Sequence, residues 1–204
     1  MGFSKILVAY TTNAGTTADV AQIISEELGR DGTQVEVRRL EEVTNIESYT
    51  AVVVGGPMIV GWHKPAVKFV KKHQQALSRL PVAYFFTAMR LTELGETSVE
   101  GIQVWIDPAL AKPPKNAHRS SFKERYATAA NYLRPALRAV RSVRPVSVGF
   151  FGGRLELFRL KWWQALFVLL VIQAQPGGSH NGPFIREWAS SLRSVLSARD
   201  AGPL

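Results

Sequence analysis

Three short loops hold the residue types best suited to bind a cofactor. The first is Thr12-Asn13-Ala14-Gly15-Thr16-Thr17. It joins an apolar run at 6–10 to an amphipathic stretch with Val20, Ile23, Ile24 and Leu28 on one helical face. A helix N-terminus has unpaired N–H groups and a partial positive charge, so it attracts phosphate. Hydroxyls in the loop can donate to phosphate oxygens, and Gly15 allows a tight turn. The loop lacks the Gly-Lys-Ser/Thr ending of a triphosphate site and the three glycines of a dinucleotide site. A monophosphate is the ligand it suits. The plainer alternative is a strand-to-helix turn capped by Thr16 or Thr17.

The second loop runs Gly55-Gly56-Pro57-Met58-Ile59-Val60-Gly61-Trp62. Its glycine backbone can edge a flat ring, and Trp62 can stack on one. The third begins at Thr87-Ala88-Met89 and can cover the other side. A monophosphate joined to a flat heteroaromatic ring describes flavin mononucleotide, FMN.

The elements that must position these loops alternate. Strands are expected at 6–10, 34–40, 51–54, 81–87 and 146–151, with 34–40 at an edge. Helices are expected after the first loop, over 63–77, from the Ser121-Phe122-Lys123-Glu124 capping box, and over 184–196. Pro135 should kink or break the third of these. Strand–helix alternation implies an α/β fold: a parallel sheet with helices on both faces. Ligands then bind beyond the carboxyl ends of the strands, where the strand order switches direction.

Composition narrows the chemistry. The 204 residues contain no cysteine. Disulfides, thiol catalysis and cysteine-ligated metal centres are thereby excluded, and no metal site is expected. The hydrophobic content of 46% suits one domain spanning 1–204. Residues 1–5 show no leader pattern, which gives a cytoplasmic expectation. The net charge is +9, and most of the excess falls in 112–144, where Glu124 is the single acid. A local anionic partner follows: a membrane surface, an acidic protein, a carboxylate substrate or nucleic acid.

Residues 88–120 read as a long basic insert without regular structure. Within and just after it, Lys112, Lys115, Arg119 and Lys123 are candidates for holding substrate carboxylates. Further on, 159–174 reads as a hydrophobic helix. Its run 162–172, led by Trp162 and Trp163, is shorter than the roughly 20 residues that span a bilayer. It suits a buried core helix, or one lying in the interface on the inner face of a membrane.

The first two loops and the strand pattern over 5–87, with 146–151 as the last strand, resemble the flavodoxin family. That resemblance implies a doubly wound five-stranded sheet of order 2-1-3-4-5 and FMN as cofactor. The segment from Gly55 to Phe69, the Phe151-Gly152-Gly153-Arg154-Leu155 turn and the late Trp188-Ala189 are similar to the menaquinone-dependent protoporphyrinogen oxidases and their flavodoxin-domain relatives. The implied activity is an FMN-dependent oxidoreductase passing electrons from a reduced substrate to a quinone. The alternative is a non-enzymatic electron carrier with an acidic or membrane-bound partner. A nucleic-acid partner is not expected, since no recognition motif accompanies the charge.

Overall fold

The computed structural model describes residues 5–12, 15–58, 61–92, 95–114, 121–153 and 180–197, without the side chains of 122, 123 and 197. The chain begins with strand β1 (Lys5–Tyr10), helix α1 (Thr16–Leu28), β2 (Gln34–Arg39) and β3 (Ala51–Pro57). Helices α2 (Lys64–Lys72) and α3 (Gln74–Leu77) lead to β4 (Val82–Ala88). Four short strands follow: β5 (Leu91–Thr92), β6 (Ser98–Val99), β7 (Ile102–Ile106) and β8 (Ala111–Lys112). Helices α4 (Phe122–Tyr126) and α5 (Ala129–Ala139), strand β9 (Ser147–Gly152) and helix α6 (Gly182–Ser197) complete the described order.

The main sheet runs β2-β1-β3-β4-β9-β7-β6. Its first five strands are all parallel and keep the expected order, with β9 in fifth place. Two strands extend it beyond five. β7 pairs in parallel with the far side of β9, and β6 closes the edge as an antiparallel partner of β7. The stretch expected to be irregular therefore supplies sheet. Ile102 and Val104 are buried while Gln103 is exposed, the alternation of a strand with one covered face. β5 and β8 form a separate two-stranded pair.

Side-chain alternation sorts the core into two layers. Leu7 and Ala9 of β1, Val52 and Val54 of β3, and Tyr84 and Phe86 of β4 face one side. There Ala66, Phe69 and Val70 of α2 and Ala129, Leu133 and Ala136 of α5 cover them. Ile6, Val8, Val53, Ala83 and Phe85 face the other side, under α1 and α6. Such continuous apolar strands are what a parallel sheet covered on both faces requires.

Two expected helices are divided. His73 separates α2 from α3. The Ser121–Glu124 capping box forms, with the Ser121 N–H donating to Glu124 Oε2 at 2.7 Å, but α4 stops at Tyr126. A new cap at Thr128 starts α5, and the Glu96 carboxylate accepts from the N–H groups of Ala129 and Ala130. The break therefore precedes Pro135, and α5 runs through that proline. Burial of Tyr132, Leu133 and Ala136 holds the helix across the missing N–H.

An acid-sensitive knot secures the edge strand. Glu36 on β2 accepts from Lys5 Nζ at 2.8 Å, Tyr49 Oη at 2.5 Å and Arg38 Nε at 3.0 Å. Lys5 first, then Tyr49 and Arg38, hold its carboxyl down at about 2, well below the usual carboxylate range. A lowered carboxylate pKa gives stability that is fully present above 4.5 and lost as pH falls toward about 2. Glu36→Gln should therefore lower stability at neutral pH and shrink the difference from wild type as pH drops through that window. Urea midpoints at neutral pH and at low pH measure this, and equal offsets at both would refute it.

Candidate cofactor site

The three loops leave adjacent strands at one edge of the sheet. Register places Tyr10 beside Gly55, Pro57 beside Thr87, and Ala88 beside Gly152. Backbone bonds carry the alignment past the strand ends. Thr11 N donates to Gly55 O at 3.0 Å, Met58 N to Thr87 O at 2.9 Å, and Gly153 N to Ala88 O at 2.8 Å. The chain steps one way from β1 to β2 and the other way from β1 to β3, so this edge is the topological switch point.

The first loop has the features of an anion cradle. Gly15 occupies the N-cap position of α1 with φ 90, a conformation that L side chains rarely adopt. No side chain caps the helix. The Thr12 hydroxyl accepts from the Gly15 N–H at 2.9 Å, so its own hydrogen can go to an outside acceptor. Thr12 and Gly15 are half-buried, within reach of a ligand. Asn13 and Ala14 lie outside the described residues.

Thr16 and Thr17 sit differently from an exposed phosphate clamp. Both are buried in the first turn of α1. The Thr17 hydroxyl is 2.9 Å from Thr87 Oγ1, in a buried bond that ties the first loop to the third. Thr17 and Thr87 thus position the loops relative to each other. Met89 is half-buried just beyond them.

In the second loop Gly56 and Met58 are buried, while Pro57 and Gly61 are half-buried. Gly56 is a close-approach position, since a Cβ there would lie 3.1 Å from Trp62 Nε1 and 3.2 Å from Thr11 Cγ2. The indole of Trp62 turns inward. It is 7% exposed and packs on Tyr84 at 4.7 Å and Phe86 at 5.2 Å between ring centroids. This inward packing buries the large apolar surface of the indole against β4. Its buried Nε1–H has no acceptor among the described residues, a donor beside Gly56. Ile59 lies outside the described residues.

Some residues at this edge carried no clear sequence signal. The Thr11 hydroxyl donates to Glu41 Oε1 at 3.3 Å and lies 3.3 Å from His63 Nδ1. A hydroxyl has one hydrogen, so with Glu41 as its acceptor the Nδ1 must be the donor. Burial pushes the His63 imidazole below its usual value, and Glu41 pulls the other way. On the far side, Asp107 is fully buried at the end of β7. It accepts from Ala109 N at 2.8 Å and Asn181 Nδ2 at 3.1 Å, fastening the insert to the start of α6. Alternation through 102–106 ending in Asp107 was the available signal.

Of the basic substrate candidates, Lys112 is exposed on β8, paired with Thr92. Lys115 and Arg119 lie outside the described residues. Lys123 is on α4, its side chain not described. The 162–172 segment also lies outside them. Among the described residues no helix is long and apolar enough to cross a membrane.

A doubly wound sheet with an uncapped, glycine-led helix N-terminus at its switch point defines a nucleotide-binding α/β protein. The chain matches the model of the flavodoxin domain over residues 7–180 and belongs to that family. It is 24% identical over 177 residues to protoporphyrinogen IX dehydrogenase [quinone] of Escherichia coli K12, covering 85% of this chain and 81% of that one. Among solved structures it is similar to rubredoxin:oxygen oxidoreductase of Desulfovibrio gigas, with TM-score 0.52 and 11% identity. That match covers 97% of this chain but 37% of the other. It is also similar to a flavodoxin from the domain Archaea, with TM-score 0.50 and 12% identity over 94% and 98% of the two chains. A flavodoxin domain binds FMN, and the cradle at Thr12 and Gly15 fits a monophosphate.

Proposed function

We propose that this chain is an FMN-dependent oxidoreductase that takes electrons from a bulky reduced substrate, a porphyrinogen, and delivers them to a quinone. The observation that carries the reading is the convergence of three strand-end loops on the uncapped start of α1. The relative that covers most of both chains is named as a quinone-linked protoporphyrinogen dehydrogenase, which supports the substrate pair.

In this reading Thr12, Asn13, Ala14, Gly15 and the first turn of α1, with Thr16, hold the phosphate. Thr17 and Thr87 fix the spacing of the loops. Gly56, Pro57, Met58, Ile59 and Gly61 edge the ring, and Ala88 and Met89 close its other side. Trp62 supports the second loop from beneath. FMN bound there supplies one- and two-electron redox chemistry through its ring. Lys112, Lys115, Arg119 and Lys123 draw substrate carboxylates toward the same edge. A segment at 162–172 lying in a membrane interface would bring the site near the quinone.

Purified protein should be yellow, and the flavin released by denaturation should be FMN. Protoporphyrinogen oxidation should then depend on a menaquinone analogue. Colourless protein that takes up no added FMN would refute the cofactor assignment. Reversible flavin reduction without porphyrinogen turnover would leave an electron carrier.

A further inference from the structure

The two faces of the sheet carry different charge. On the α1/α6 face, cations are matched by acids: Arg186 pairs with Glu26 at 3.1 Å, Arg193 with Glu27 at 2.6 Å, and Arg30 with Glu27 at 3.1 Å. Helices α2, α3 and α5 contain no acid at all. Lys64, Lys68, Lys71, Lys72 and Arg79 are exposed on and just after α2 and α3. Arg134, Arg138, Arg141 and Arg144 are exposed on and just after α5. On α2, positions 64, 68 and 71 are spaced i, i+4, i+7; on α5, positions 134 and 138 are spaced i, i+4, and Arg141 and Arg144 follow in the turn beyond its end at Ala139. The α2 set is one stripe along its helix, and the second set runs along α5 and into the turn after it.

The fold lays the two sets side by side. Both helices pack on the same layer of the sheet, and Ser142, just after α5, donates from Oγ to Gln74 Oε1 of α3 at 3.1 Å. Among the described residues their acidic partner is Glu100, 3.7 Å from Arg134. The lysines of α2 belong to a half of the chain whose charges nearly cancel along the sequence, so only packing makes this face cationic.

We propose that the α2/α3/α5 face docks on an anionic lipid surface through the two sets. Two observations favour lipid over a folded or nucleic-acid partner. A protein interface needs buried aromatic or apolar anchors, yet the exposed large hydrophobics among the described residues are Tyr126 and Val195. A groove of about 450 Å³ also opens at the end of this face. Apolar Ile46, Tyr49, Ala76 and Leu80 line it beside Lys72 and Arg79, with Glu47 as the one acid among the described lining residues. That mixture suits a phosphodiester headgroup and its glycerol better than a base or a peptide. A polybasic plane needs no shape complementarity to bind a fluid anionic surface. The proposed contact uses none of residues 162–172 and does not depend on the substrate assignment.

The test is cosedimentation of the FMN-loaded full chain with phosphatidylglycerol-rich and pure phosphatidylcholine vesicles. Binding to the anionic vesicles should be at least about tenfold stronger. It should be lost as salt rises from about 0.05 M to about 0.5 M. Lys68→Glu/Lys71→Glu/Arg138→Glu/Arg141→Glu should lose the salt-sensitive binding while keeping its circular dichroism and FMN uptake. Trp162→Ser/Trp163→Ser should keep the salt-sensitive part. Undiminished vesicle binding by the quadruple variant overturns the proposal. So does wild-type binding to duplex DNA, or to an acidic protein, without binding to anionic vesicles. FMN uptake is read on the same samples, so failure of the docking face is distinguished from failure of the cofactor site.

Discussion

Gly15→Asp is expected to weaken FMN binding by about 100-fold or more, or about 2.7 kcal/mol. Two effects add. The glycine holds φ 90 at the N-cap of α1, and a side chain there strains the backbone by about 1–3 kcal/mol. The new carboxylate also takes the place of the incoming phosphate and repels it. The helix itself should survive, because burial of Val20, Ala21, Ile24 and Leu28 holds α1 on the sheet. Gly15→Ala separates the two effects, since it brings the strain without the charge and should cost roughly tenfold or less. Fluorescence titration of apo-protein with FMN reads both. Equal affinity for wild type and Gly15→Asp would remove the first loop from the site. Lowered helix content would show instead that the change acted on the fold.

Trp188→Ala is expected to cost ~3–5 kcal/mol of stability. Trp188 is fully buried on α6, packs edge-on against Phe151 at 5.3 Å, and donates from Nε1 to Ser147 Oγ at 3.0 Å. The deletion removes one of the largest fully buried side chains under that face and orphans a buried hydroxyl. For a chain of this length the melting temperature should fall by roughly 10 °C or more. Trp188→Phe keeps most of the volume and should lose only about 1–2 kcal/mol, mainly the hydrogen bond. Urea midpoints at unchanged slope decide it. A shift under ~1 kcal/mol for Trp188→Ala would mean that α6 is not essential to the sheet.

Much of the fold was legible because its signals are local. Ile6 to Tyr10, Ala51 to Val54 and Val82 to Thr87 are continuous apolar runs, and only burial on both faces explains such runs in short strands. The turn from β1 into α1 was legible because the helix start and Gly15 adjoin in sequence. Ser121 and Glu124 announced their own cap for the same reason. Less legible were residues whose role depends on a distant partner. Asp107 takes its role from Asn181, which is 74 residues away in sequence. Glu96 gave no sign that it would reach 33 residues ahead to cap α5.

Sequence alone determined the α/β alternation, the strand segments β1 to β4 and β9, and a glycine-containing turn from β1 into α1. Each rests on neighbours within one strand or one helical turn, where periodicity and caps are decisive. Tertiary structure decided the rest. It added β7 and β6 beyond β9, because pairing is chosen by a free sheet edge that no local pattern records. It turned Trp62 inward, because Tyr84 and Phe86 of β4 offered apolar cover. And it gathered the cations of α2 and α5, some 70 residues apart, onto one face, because doubly wound crossovers lay both helices on the same layer.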